Sequence, residues 1–140
     1  MTRVVIIGSP KGKIKRMEDR ELLAVVELGG YPNFIPLYQR LNFKVEMVNS
    51  VRKAQSWLKK HHPAVVVAEF YSDPQFRDRM SNLESLLATL QRYDIKARIV
   101  VLIDEKYLQR LAGVKSRYPV HAVLTFPIDE RAMQSALQSI

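Results

Sequence analysis

The chain has no cysteine. That excludes a disulfide framework, a thiol nucleophile and any zinc site built on thiolates, and it suits a reducing compartment, so a cytoplasmic location is expected. Long apolar runs are missing too. The longest, Leu22 to Val26, Val65 to Ala68 and Ile99 to Ile103, fall far short of the roughly 20 residues of a membrane span. The N-terminus carries no signal-peptide pattern, and no membrane association is expected. Glycine is sparse, with five in 140 residues.

Nearly half the side chains are apolar, 47%. That is enough for one sizeable core at this length and too little for two, so a single domain over residues 1–140 is expected. The formal charge of +8 is uneven: residues 1–20 hold six Lys/Arg against two acids, and residues 21–140 hold sixteen against twelve. Half the excess therefore sits in one seventh of the chain. Such a segment is either a solvated basic face or a contact for an anionic partner.

From residue 22 onward, short apolar runs alternate with helical patterns, the signature of βαβ units and a mostly parallel sheet. Strands are predicted over Leu22–Leu28, Lys44–Val48, Val65–Phe70, Ile99–Ile103 and Ala122–Phe126. Four are apolar almost throughout, as strands covered on both faces should be, whereas Lys44-Val45-Glu46-Met47 alternates and suits an edge. An α/β fold follows, with a five-stranded parallel sheet in the order 2-1-3-4-5 between two helical layers. Leu83, Leu86, Leu87 and Leu90 mark a helix after the capping-box pair Ser81 and Glu84. Ser50 and Asp129 are positioned to cap two more. Weaker helical patterns begin near Asn33, with Pro36 in the first turn, and around Tyr107, Leu108 and Leu111.

Residues 1–20 stand outside this rhythm. Arg3 to Ile7 suits a strand, Ser9-Pro10-Lys11-Gly12 a turn, and Lys13 to Met17 a returning strand, giving an N-terminal β-hairpin rich in Arg3, Lys11, Lys13, Lys15, Arg16 and Arg20. A competing register would make Val4 to Gly8 the first strand of the main sheet. It then needs a connection of about 35 residues, longer than a βα link usually runs.

Ligands of open parallel sheets bind beyond the carboxyl ends of the strands, which directs attention to Glu27 to Gly30, Glu69 to Asp73, Ile103 to Glu105 and Thr125 to Ile128. Pro63 to Glu69 resembles the third strand and phosphoacceptor position of bacterial response-regulator receiver domains. Ala122 to Asp129 resembles their fifth strand and lysine-proline signature. The resemblance spans residues 22–140 and implies a flavodoxin-like three-layer sandwich. It also implies an acidic pair that holds magnesium, an Asp that takes the phosphoryl group, and a Lys and a Thr or Ser that neutralise it.

At each of those positions this chain departs. Glu69 stands at the acceptor position, where an extra methylene displaces the nucleophilic oxygen. Phe126, before Pro127, replaces the lysine, and Leu102 or Ile103 stands where the hydroxyl belongs. The acidic pair is reduced to Glu27 beside Leu28, with Asp104 near the same rim. A hard cation wants several oxygen ligands, so neither magnesium nor another cofactor is expected. Glu69 is then either a fixed charge that imitates a phosphorylated receiver or a carboxylate satisfied by hydrogen bonds. The Phe126-Pro127 bond is expected to be cis, as in receivers.

Other motifs are weaker. Gly8 to Lys13 is one residue short of a phosphate-binding loop and is followed by Ile14 where a hydroxyl belongs. His61 and His62 suit a helix end better than a metal, His121 stands alone, and Asp73, Arg77, Asp78 and Arg79 suit a solvated loop. No acid, base and nucleophile converge, so no enzymatic activity is expected. Leu28-Gly29-Gly30-Tyr31-Pro32 lacks the hydroxyls of a flavin-phosphate loop.

These readings favour a phosphorylation-independent pseudo-receiver in bacterial signalling. It would bind a protein partner, or a second copy of itself, through a face containing Tyr107, Arg110, Leu111, Tyr118, Thr125 and Met133. The alternative is a nucleic-acid-binding regulator that uses the basic N-terminal hairpin.

Overall fold

A computed structural model describes residues 4–6, 20–71 and 82–140, the first three by backbone alone. The strands are β1 (Val4–Ile6), β2 (Glu21–Val25), β3 (Lys44–Val48), β4 (Val65–Phe70), β5 (Arg98–Ile103) and β6 (Ala122–Thr125). They form one sheet in the order β1-β6-β5-β4-β2-β3. All pairings are parallel except β1 with β6, where Val4 faces Leu124. Without β1, the expected parallel order is recovered, with β3 as the edge.

The apolar strands are buried on both faces, as their composition requires. Leu23, Val25, Val66, Ala68, Val101 and Ile103 face one core layer; Leu22, Ala24, Val65, Val67, Val100 and Leu102 face the other. The first layer is closed by α2 (Val51–Leu58), α3 (Asn82–Arg92) and α4 (Leu108–Lys115), the second by α1 (Ile35–Arg40) and α5 (Glu130–Gln138). β3 keeps the wet edge that its alternation predicts, with Lys44 and Met47 exposed.

Helix starts follow local chemistry. Ser50 Oγ accepts from Lys53 N at 3.1 Å, and Asp129 Oδ1 accepts from Ala132 N at 2.8 Å, satisfying amides that the first turn leaves unpaired. Pro36 sits in the first turn of α1, where its missing N–H costs nothing. Ser81, the other half of the expected capping box, lies outside the described residues. Glu84 is buried and pairs with Arg117 at 2.6 Å.

Of the N-terminal hairpin, Val4–Ile6 is a strand, and it pairs with the last strand of its own sheet instead of acting as the first parallel strand. The expected turn and returning strand, with Lys11, Lys13, Lys15 and Arg16, lie outside the described residues, as do Arg3, the glycine-rich stretch 8–13 and the charged loop 73–79. Arg20 is described, and its guanidinium stacks 4.5 Å from the centre of the Phe43 ring. Among the described residues, no helix is long and apolar enough to cross a membrane.

Candidate functional site

β4 ends at the carboxyl edge of the sheet, beside the β2–α1 loop. Glu69, its penultimate residue, is 2% exposed. Burying a carboxylate is costly unless its oxygens are hydrogen-bonded, and here the neighbouring loop supplies the donors. The amides of Glu27 and Gly29 donate to Oε2 at 3.0 and 3.3 Å, and that of Leu28 donates to Oε1 at 2.8 Å. The Tyr31 hydroxyl donates to Oε2 at 2.6 Å. Successive amides converge on one anion because the loop then reverses through left-handed Gly29 and Gly30, at φ 72° and 88°, a conformation glycine adopts freely.

A second carboxylate lies alongside. Glu27 accepts from the Tyr71 hydroxyl at 2.9 Å and from Asn82 Nδ2 at 2.6 Å, and the same amide nitrogen donates to the Glu69 carbonyl at 3.0 Å. Tyr71 is pushed up to about 12, first by burial and then by its bond to Glu27. Tyr31 is driven well above the ordinary phenol range by burial, with the Glu69 bond next. Both phenols therefore remain proton donors at neutral pH. Among the described residues, no Lys, Arg or His forms an ion pair with either carboxylate.

An aromatic ring follows the end of β6. Phe126 packs on Tyr31 with ring centres 6.0 Å apart, and Tyr31 stacks on Phe34 at 6.1 Å. The Phe126-Pro127 bond is cis, as expected. Beside Tyr31, a small apolar cleft of about 200 Å³ opens between α1 and strands β2 and β3, bordered by Ala24, Phe34, Ile35, Met47 and Val67.

One expectation about the rim is corrected. Asp104 does not join Glu27 in an acidic pocket: it is exposed and accepts from Lys106 N at 3.1 Å, capping the 3-10 turn Glu105–Tyr107. Ile103 is fully buried, facing Phe70 and Thr125 across the sheet. The anticipated partner face is also altered. Leu111 and Met133 are wholly buried and Thr125 nearly so, because each points into a core layer; Tyr107 and Tyr118 are half-buried and Arg110 is exposed. Among the described residues, no three His, Asp or Glu converge as a metal site would require.

The histidines also differ from expectation. α2 ends at Leu58, so His61 does not cap it; its ring stacks on Trp57 at 4.1 Å and its Nδ1 lies 3.4 Å from Glu21. His121 is buried, with Nε2 2.8 Å from Ser139 Oγ. That hydroxyl donates onward to the Ala136 carbonyl, so Nε2 carries the proton.

Sequence reasoning missed Tyr31, Tyr71 and Asn82 as partners of the two carboxylates. A signal was present: an acid at the end of an apolar strand with no cation opposite must find neutral donors, and a Gly-Gly-Tyr loop stands one strand away.

No protein-family model matches the chain, and no curated protein matches it in sequence. Similarity lies in the fold. A response-regulator receiver protein from Sinorhizobium medicae superposes with a TM-score of 0.67 at 17% identity, over 88% of this chain and 94% of that one. The receiver domain of a Francisella response regulator gives 0.63 at 15% identity, over 86% and 94%. A protein described as belonging to a family of redox sensors in the streptococci, evolved from two-component response regulators, gives 0.68 at 16% identity, over 85% of this chain and 49% of that one. The chain therefore has the fold of a response-regulator receiver domain, five parallel strands in the order 2-1-3-4-5, here with an antiparallel strand added beside the last.

Proposed function

We propose that this chain is a pseudo-receiver, a regulatory module of signalling that acts by binding another protein without phosphoryl transfer or other catalysis. The observation that carries the reading is the saturation of Glu69. An acceptor carboxylate must present a lone pair to an in-line phosphoryl donor and share its charge with a metal. The Glu69 oxygens are instead occupied by three amides and a phenol at 2.6–3.3 Å. Phe126 supplies no charge to neutralise a transferred group. Between the two readings of Glu69, this geometry favours a carboxylate satisfied inside the fold, since a fixed charge hidden from solvent presents little to a partner.

The face around Arg110, Tyr107 and Tyr118 is the proposed contact for that protein, which includes a second copy of the chain; Leu111, Thr125 and Met133 support it from within. Incubating the full chain with acetyl phosphate and magnesium, followed by intact-mass measurement, tests the reading. No mass increase is expected. Stoichiometric phosphorylation at Glu69 would overturn it.

A further inference from the structure

The amino-terminal rim of the sheet, opposite the Glu69 site, gathers positive charge. Backbone register sets the row: Lys44 faces Glu21 on β2, Ala64 N donates to the Glu21 carbonyl, and Arg98 N donates to the Ala64 carbonyl, each bond 2.8 Å. Lys44, in register with Glu21, stands on the α2–α3 face of the sheet, whereas Arg98, in register with Val65 and Leu22, stands on the α1–α5 face. The neighbouring helices α2 and α3 run toward the same rim, and the segments after them bring Lys59, Lys60 and Lys96. These three lysines and Lys44 are exposed, Arg98 is half-buried, and none forms an ion pair among the described residues.

Acids are scarce at this rim. Between Glu46 and Glu69 the chain holds four Lys/Arg and no Asp or Glu. Glu21 is engaged by His61; Glu46, two residues along β3 on the same face as Lys44, and Asp94, on the loop after α3, are the other nearby acids among the described residues. Within the patch the Trp57 and His61 rings lie parallel and half-buried. The exposed large apolar side chains are Leu28 and Met47. Leu28 lies beyond the carboxyl end of β2 and Met47 is the fourth residue of β3, so neither begins a strand at this rim.

We propose that this rim binds single-stranded nucleic acid, with Lys44, Lys59, Lys60 and Lys96 on the phosphates and the Trp57–His61 pair as a stacking platform. Unpaired cations flanking flat rings match a strand whose charge and bases alternate. A membrane would need apolar side chains to insert, and a protein partner would need an apolar anchor at the centre. Among the described residues the large aromatic of the rim is Trp57, half-buried with its ring against His61, a flat pair that suits base stacking better than insertion. Of the N-terminal segment, strand β1 pairs with β6 at the far edge of the sheet from β3, and the proposal does not depend on the pseudo-receiver reading.

The test is fluorescence anisotropy of the full chain with a labelled oligouridylate across a salt series. With three or four phosphates engaged, the log–log slope should lie between about −2 and −3, at roughly −0.7 per phosphate for single strands. K59E/K60E/K96E should weaken binding at least tenfold and flatten the slope by about 2, and K59Q/K60Q/K96Q should do so in the same direction, with circular dichroism confirming the fold of both. Neutralising Lys11, Lys13 and Lys15 should leave most of the affinity. The proposal is overturned if the rim variants bind as the wild type does, if the N-terminal variant abolishes binding, or if phosphatidylserine vesicles are bound while the oligouridylate is not.

Discussion

Tyr31 donates its hydroxyl to Glu69 at 2.6 Å across the mouth of the parallel sheet, joining the β2–α1 loop to the end of β4 where receivers place a metal and a phosphoryl group. Because that acceptor is a buried carboxylate that also receives three amides, losing the phenol removes a charge-assisted bond. Tyr31→Phe should destabilise the chain by about 1.5–3 kcal/mol, measured by urea denaturation. In a Glu69→Gln background the same substitution should cost less, and equal costs in the two backgrounds would show that the bond is not coupled to the carboxylate.

The glycine turn offers a second check. At Gly29 an added methyl would lie 3.9 Å from Val26 Cγ1, an ordinary contact, and at Gly30 it would meet nothing within 4 Å. Alanine at either position should therefore cost about 1–2 kcal/mol through backbone conformation alone. A much larger loss at Gly29 than at Gly30 would mean that the amide cradle itself had moved.

Alkaline pH should unfold the chain. Tyr31, Tyr38 and Tyr71 ionise above the ordinary phenol value of 10.0, and Tyr71 does so at about 12. Unfolded phenols release their protons first as pH rises, so stability is complete below pH 10 and is lost above it. Thermal melts between pH 8 and 11.5 should show a falling midpoint above pH 10, less steep in Tyr31→Phe.

His121 works in the opposite direction. Burial, then the charge of Arg98, lowers its pKa below the ordinary 6.5, so the unfolded chain takes up this proton first. The stability contributed by the neutral ring is present above pH 6.5 and is lost as pH falls through the folded value. Proton NMR should show the His121 ring titrating below 6.5, and His121→Gln should flatten the acid limb of stability.

Leu111→Ala and Met133→Ala should each cost about 2–5 kcal/mol, because both side chains are completely buried. Lost partner binding in either variant would report a damaged core. Arg110→Ala should leave the unfolding midpoint close to that of the wild type, which makes it the cleaner probe of the proposed contact face.

The parallel sheet was legible because Leu22 to Val25, Val65 to Ala68 and Ile99 to Ile103 are apolar without interruption, a pattern that only two-sided burial explains. Ser50 and Asp129 announced their helices by local chemistry. Asp104 was misplaced because its side chain had a nearer use, capping the turn two residues on. Leu111 and Met133 were placed at a surface because helical periodicity gives a stripe without saying which edge of it the neighbouring element covers, and Thr125, the last residue of β6, because its hydroxyl gave no sign of two-sided burial. Tyr31, Tyr71 and Asn82 escaped because a hydrogen bond to a carboxylate some 40 residues away follows from the tertiary fold and leaves no local spacing.

The cradle around Glu69 has a kinetic consequence. Leu28 turns its side chain to solvent, 70% exposed, while its amide proton is held by an oxygen that water does not reach. Surface loops ordinarily trade amide hydrogen with deuterium quickly; the amides of Glu27, Leu28 and Gly29 are all held by the two oxygens of one buried carboxylate. Their exchange should therefore be slow and shared, making this turn part of the same cooperative opening unit as the end of β4.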